Sequence, residues 1–222
     1  MEWRVQVDDE TTSAVFEPSA TGEAHTVFVC AHGAGGNMSD KGMLTTTRAL
    51  AARGLGVVRF NFLYKEKHSG RPDAMPKLME TTAAVVARVR KELTPTTLII
   101  GGRSMGGRAA SMLAADGFGF DCSGLLLLAY PLHPAGRVDK LRDAHLPAIR
   151  IPVLCVNGTR DALCTPDLMN AAVSRVTAPW QMHWIEGADH SFHVLKSSGR
   201  TDAQVMTEIA DVSERWISHL KE

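Results

Sequence analysis

No sign of charge predominates in this chain of 222 residues, where 24 lysines and arginines balance 24 aspartates and glutamates. Without a net positive field, a general nucleic-acid-binding role is disfavoured. No apolar run approaches the roughly 18–20 residues that span a bilayer, so no membrane segment is expected. The opening residues Met1-Glu2-Trp3-Arg4-Val5 lack a basic flank followed by an apolar stretch. The expectation is therefore of no secretion signal and a cytoplasmic location. Cysteine is sparse, with Cys30, Cys122, Cys155 and Cys164 and no C-x-x-C pair. Cys30 and Cys155 fall inside apolar runs, where a thiol behaves as a small hydrophobe, so reduced thiols in or near a core are expected. Without a secretion signal, the sequons Asn37-Met38-Ser39 and Asn157-Gly158-Thr159 carry no meaning. There is no repeat, no low-complexity tract and no linker. No His/Cys/Glu cluster has metal-ligand spacing, so no metal and no cofactor are expected. What remains is 45% apolar and 22% charged, enough to bury a large core in one domain over residues 1–222.

Short apolar runs bounded by turn residues predict strands at Thr26–Cys30, Gly56–Phe60, Thr97–Ile100, Leu125–Ala129 and Val153–Val156. A further strand is predicted at Gln181–Ile185. These runs lack strict alternation, as expected where both faces of a parallel sheet are covered. The chain should begin with an antiparallel pair, Glu2–Val7 and Ser13–Phe16, turning at Asp8-Asp9-Glu10. Helices are predicted at Lys41–Arg53, Pro76–Leu93, Met105–Ala115, Pro166–Val176 and Asp202–Leu220. In the second of these, Leu78, Val85, Val89 and Leu93 share a face. Regular alternation of strand and helix argues an α/β fold with a mainly parallel sheet and helices on both sides. Tyr130 to Ile151 is the longest irregular stretch, and it is short for a separate lid.

The motif that carries chemistry is Gly101-Gly102-Arg103-Ser104-Met105-Gly106-Gly107. It contains G-x-S-x-G with a strand before it and a helix after it. A sharp strand-to-helix turn would hold Ser104 in a strained backbone conformation, its hydroxyl projecting above the sheet. The flanking glycines allow this because a Cβ at either place would collide across the turn. A serine hydroxyl is a weak nucleophile, so it needs a base and donors for a developing oxyanion. Both are sought at the carboxyl ends of the other strands. The loop Ala31-His32-Gly33-Ala34-Gly35-Gly36-Asn37 follows one such end. Its small residues, Gly33 and Gly35 among them, let backbone approach a substrate. The expected oxyanion donors are the N–H groups of Met105 and Ala34. The loop lacks the third glycine of G-x-G-x-x-G and the lysine of a phosphate loop, which argues against a nucleotide.

The candidate acid is Asp161, on the turn after the strand at Val153–Val156. Asp167 is the alternative, but its place after Pro166 suits the first turn of a helix. The chain has 9 histidines. Strand and helix positions remove His183 and His219 and leave His190 or His193 for the loop after the last strand. The chain order Ser104…Asp161…His190 favours His190, with Asp189 as a solvated loop carboxylate. Arg103 either neutralises an acidic substrate or pins neighbouring loops through its forked donors, and the second is favoured. His133, in Tyr130-Pro131-Leu132-His133-Pro134, either contacts substrate or pairs with a loop carbonyl. His32 is expected to organise its loop.

Together these residues resemble the α/β-hydrolase superfamily, in the small lidless range of dienelactone-hydrolase-like proteins. The strings Gly101-Gly102-Arg103-Ser104-Met105-Gly106, Tyr130-Pro131-Leu132-His133, Lys140-Leu141-Arg142-Asp143 and His183-Trp184-Ile185-Glu186…Asp189-His190-Ser191 resemble testis-expressed-protein-thirty-like hydrolases. That group includes a domain of a nonspecific lethal chromatin-complex subunit. The resemblance runs from about His32 to the C-terminus. It implies an eight-stranded, mostly parallel sheet with little or no cap, the nucleophile after the fifth strand, and Ser104, Asp161 and His190 as a triad. It supplies no substrate. The expectation is a serine hydrolase acting on a small-molecule ester or thioester, as a monomer or homodimer. The alternative is a non-catalytic interaction protein on the same fold.

Overall fold

A computed structural model of the chain describes residues 1–20, 25–117 and 121–220. The first two strands, β1 (Glu2–Val7) and β2 (Glu10–Glu17), form the antiparallel hairpin expected from the sequence. Its turn is one residue tighter than expected, because Glu10 already pairs with Val7. Asp8 takes the left-handed conformation (φ 48°) that this short turn demands. β1 buries Trp3, Val5 and Val7 and exposes Glu2, Arg4 and Gln6, the alternation of an edge strand with one wet face.

The remaining strands are β3 (Thr26–Ala31), β4 (Gly56–Phe60), β5 (Thr97–Arg103), β6 (Gly124–Leu128), β7 (Val153–Gly158) and β8 (Trp180–Ile185). All eight lie in one sheet, ordered β1-β2-β4-β3-β5-β6-β7-β8. From β4 to β8 every pairing is parallel. β3, β4, β6 and β7 are buried at every position, which is why their sequences read as unbroken apolar runs. β5 continues three residues past its expected end at Ile100, with Gly101, Gly102 and Arg103 paired to Leu126, Leu127 and Leu128. A glycine pair normally reads as a strand stop. Here it is required, because a Cβ on Gly101 would lie 1.9 Å from the Leu126 carbonyl oxygen.

The helices are α1 (Lys41–Ala51), α2 (Leu63–Glu66), α3 (Met75–Leu93), α4 (Met105–Ala115), α5 (Pro166–Val173) and α6 (Asp202–His219). One sheet face carries α1 and α6. There Met43, Leu50, Val205 and Ile209 pack on Phe28, Cys30, Leu126 and Val156. The other face carries α3, α4 and α5, where Val85, Val89, Ala110 and Met169 join Val27, Val29, Ile100 and Leu127. The face expected for α3 holds, and Thr81, Thr82 and Val86 widen it. α5 stops at Val173, short of the expected Val176. The N–H groups of Arg175 and Val176 bond three residues back, to Ala172 and Val173, and tighten the chain into a turn. The short α2 escaped sequence reasoning because four residues carry no periodicity. Asp40 caps α1 by accepting the Met43 N–H at 2.8 Å, and Thr201 with Gln204 closes a capping box on α6. Among the described residues no lid interrupts this order. Between Tyr130 and Ile151 the chain runs irregularly, with one short 3₁₀ turn at Leu146–Ala148. No helix among the described residues is long and apolar enough to cross a membrane. The four cysteines are unpaired and buried, and burial raises the Cys30 thiol to about 12.

Candidate active site

Ser104 sits between the last residue of β5 and the first of α4, with φ 49° and ψ −116°. A non-glycine residue in this region costs about 1–3 kcal/mol and persists only where the surroundings over-determine it. Packing against β3 does so. A Cβ on Gly102 would lie 2.2 Å from the Ala31 carbonyl oxygen, and one on Gly106 would lie 2.6 Å from the same atom. Those glycines are therefore needed for close approach to β3, not for clearance across the turn as expected. Only at Gly107 is the obstacle across the turn, at Gly102 O, 2.7 Å away.

A chain of hydrogen bonds leads away from this serine. Ser104 Oγ lies 2.9 Å from His190 Nε2, and His190 Nδ1 lies 2.8 Å from Asp161 Oδ2. A carboxylate only accepts, so Nδ1 carries the ring proton and Nε2 is left to accept from the serine hydroxyl. The Asp161 side chain is 0% exposed. Its Oδ1 accepts the Leu163 N–H at 2.8 Å, and its Oδ2 also accepts from Asn157 Nδ2 at 3.3 Å. His193 is turned away and pairs with Asp202 at the start of α6, which raises its pKa. Asp167 is exposed in the first turn of α5. Asp189 does more than meet solvent, since its Oδ1 accepts the N–H groups of Ser191 and His193 and shapes the turn that carries His190.

The two residues expected to supply oxyanion donors, Ala34 and Met105, line a cleft with Ser104. Among the described residues, neither the Ala34 N–H nor the Met105 N–H finds a backbone or side-chain acceptor. The loop bearing Ala34 is fastened from below. Tyr64 Oη donates to the Ala34 carbonyl at 2.8 Å. His32, wholly buried, bonds the Gly33 carbonyl through Nδ1 and accepts the Phe62 N–H at Nε2. Burial lowers the His32 pKa to about 4, so it is a neutral loop organiser, as expected. Gly33 and Gly35 face the cleft with no clash awaiting a side chain there, so their smallness leaves open space beside Ser104.

A cleft of about 390 Å³ opens over Ser104 and His190. Gly33, Ala34, Gly35 and Arg103 line it, together with Asp40, Met43, Leu163 and Ser191, which sequence reasoning did not single out. Arg103 pins no loop through forked donors. It makes no side-chain hydrogen bond among the described residues, and its guanidinium lies 5.7 Å from the centre of the Phe192 ring. Burial lowers its pKa, against the opposing charges of Asp40 and Asp189. Of the two roles open to His133, substrate contact or pairing with a loop carbonyl, the structure has the second. His133 is 2% exposed, its Nδ1 bonds the Pro134 carbonyl, and its Nε2 accepts the Thr165 N–H at 3.1 Å. Both nitrogens are spent in tying two loops together. Asn157 was missed. Its amide bonds the Tyr130 N–H and carbonyl as well as Asp161. Its signal in the sequence, a polar residue ending an apolar run, equally marks a turn. Among the described residues, no three His, Cys, Asp or Glu side chains gather so as to hold a metal ion.

Comparison with known proteins bears on the fold and the family. The chain is 35% identical over 108 residues to the uncharacterised protein YfhR of Escherichia coli O157:H7, a match over 47% of this chain and 37% of that protein. The match thus spans little more than a third of that relative. Among solved structures, a serine hydrolase homologue from Coxiella burnetii superposes with a TM-score of 0.76 at 22% identity, over 97% of this chain and 96% of that one. A serine hydrolase without a lid from Xanthomonas campestris superposes at 0.74 with 21% identity, over 97% and 94%. These likenesses show the fold. A family model described as an alpha/beta hydrolase domain matches residues 24–218, and the chain accordingly belongs to the alpha/beta hydrolase family.

Proposed function

We propose that this protein is a serine hydrolase that cleaves a small carboxylic ester or thioester through an acyl-enzyme. The observation that carries this reading is the relay Ser104 Oγ–His190 Nε2 at 2.9 Å and His190 Nδ1–Asp161 Oδ2 at 2.8 Å, starting from a positive-φ elbow. In the proposed sequence, Ser104 Oγ attacks the carbonyl carbon while its proton passes to His190 Nε2. Asp161 orients the ring and stabilises its cationic form. The N–H groups of Met105 and Ala34 receive the oxyanion. As the tetrahedral intermediate collapses, the carbon–oxygen or carbon–sulfur bond breaks and the leaving atom takes the proton from His190. Water, deprotonated by the same nitrogen, then attacks the acyl-serine and releases the acid. With no lid over the cleft, soluble short-chain substrates should react without any interfacial requirement.

The test is fluorophosphonate labelling with mapping of the modified residue, beside turnover of p-nitrophenyl acetate. The label should sit on Ser104. Ser104→Ala should lose roughly 10⁴-fold or more of kcat while melting at nearly the wild-type temperature. Wild-type protein that neither labels nor exceeds Ser104→Ala across a panel of short-chain esters would overturn the proposal in favour of a non-catalytic role.

A further inference from the structure

We infer that the acyl part of the substrate ends in a carboxylate held by Arg108 and Arg142, making the substrate a monoester or monothioester of a short dicarboxylic acid. This rests on the serine-hydrolase reading, because that reading divides the site into two sides. His190 must protonate the leaving atom, so the leaving group lies in the cleft that contains His190. A second cleft, of about 400 Å³, adjoins the first and shares Ala34, Ser104 and Leu163 with it. Its walls include Ala34, Ser104 and Met105 together with Asp73, Arg108 and Arg142, but not His190. An acyl chain whose carbonyl oxygen meets the Ala34 and Met105 N–H groups therefore runs into the cleft that holds the two arginines.

Both guanidiniums lack the carboxylate partner that Arg59, Arg175 and Arg200 have. Arg59 pairs with Glu17 at 2.7 Å, Arg175 with Asp143 and Arg200 with Glu208. Among the described residues, no carboxylate lies within ion-pair distance of Arg108 or Arg142. Arg108 stands in the first turn of α4, four residues after Ser104, and its Nε is buried without an acceptor. The side chain of Arg142 makes a single long bond, Nη1 to the Pro131 carbonyl at 3.4 Å. Its backbone, by contrast, is held firmly. The Arg142 N–H bonds Leu132 O at 2.7 Å, and Tyr130 Oη donates to Arg142 O at 2.7 Å. The loop thus presents a charged head group whose own bonding is incomplete.

The surrounding groups do not cancel this charge. Asp73 is the one carboxylate on the cleft wall, and its Oδ2 accepts the Tyr64 N–H at 2.9 Å. His145 lies behind Arg108, bonded to Ser111 Oγ at 2.8 Å. Burial, helped by the Arg108 charge, lowers its pKa to about 4, so it is neutral near pH 7. Burial and the Arg108 charge also lower the Arg142 pKa. Two like charges held together in a half-buried cleft repel, and an entering carboxylate relieves that repulsion while accepting forked N–H bonds. The string Lys140-Leu141-Arg142-Asp143 gains a purpose in this arrangement that the reaction itself does not assign.

The experiment compares monomethyl glutarate with methyl valerate by pH-stat, two esters alike except for the terminal carboxylate, with Ser104→Ala as the blank. Wild-type protein should favour the anionic ester in kcat/KM by roughly tenfold or more. Arg142→Gln and Arg108→Gln should each reduce that ratio by roughly tenfold, and Arg142→Lys should keep part of it. A wild-type ratio near one, or a ratio unmoved in both glutamine variants, overturns the inference and leaves the hydrolase reading intact. Hydrolysis of neither ester above the blank counts against that reading, and calorimetric titration with glutarate then decides. Glutarate binding that weakens roughly tenfold in either glutamine variant sustains the anion site. Equal binding in all three proteins, or no binding to the wild type, removes it.

Discussion

At the residue scale, Asn157 ties the candidate acid Asp161 to the strand end beside it. Its amide closes a two-way bond with the Tyr130 backbone and steadies Asp161 from below. Asn157→Ala would strand the buried Tyr130 N–H and take one of two bonds from the Tyr130 carbonyl, which keeps the Leu132 N–H. We expect a stability loss of about 1–3 kcal/mol, seen as a lower midpoint in urea, and a reduced kcat as Asp161 loosens. The two loop histidines separate cleanly at this scale. His190→Gln should cost roughly 10³-fold or more in kcat/KM. His193→Gln breaks only an exposed pair with Asp202 and should leave p-nitrophenyl acetate turnover within about twofold of wild type, since exposed pairs contribute little.

At the element scale, the decisive contact is β3 against the β5–α4 elbow. Gly102 and Gly106 let the Ala31 backbone approach to distances that no Cβ tolerates. Gly102→Ala cannot relax by swinging a side chain aside, because the obstacle is backbone on an interior strand. It should cost about 3 kcal/mol or more, and calorimetry should show a lower melting temperature with activity lost alongside it. Gly35→Ala, where nothing lies within 4 Å, should fold as stably as wild type and so serves as the contrast. Element types were legible in the sequence because hydrophobic runs and glycine or proline punctuation reflect local sterics. Ends were less so. β5 outran its expected stop because pairing with β6 extended through two glycines, and α5 fell short because its last residues tightened into a turn.

At the scale of the whole molecule, buried histidines set the response to acid. His32 and His145 titrate near about 4 in the folded protein because burial disfavours their charged forms. An unfolded histidine titrates near about 6.5. Between those values the unfolded chain binds protons that the folded chain refuses. Stability is therefore full above about pH 6.5 and falls as the pH drops toward 4, by at most about 1.4 kcal/mol per pH unit for each group. The melting temperature should fall from pH 7 to pH 5, and His145→Gln, which can still bond Ser111, should give a flatter profile. An unchanged slope in that variant would mean that His145 contributes nothing to the acid response.

The order of strands and helices, the serine between glycines, and the succession of Ser104, Asp161 and His190 could be read from the amino acids, because each is a matter of local pattern or position along the chain. The other pairings could not. That His193 turns to Asp202, that His133 is tied into two loops, and that Arg108 and Arg142 share a cleft with no ion pair of their own among the described residues all depend on distances between distant segments. Those distances are set only when both faces of the sheet are packed, since burial then decides which polar groups must find one another and which are left facing a cleft.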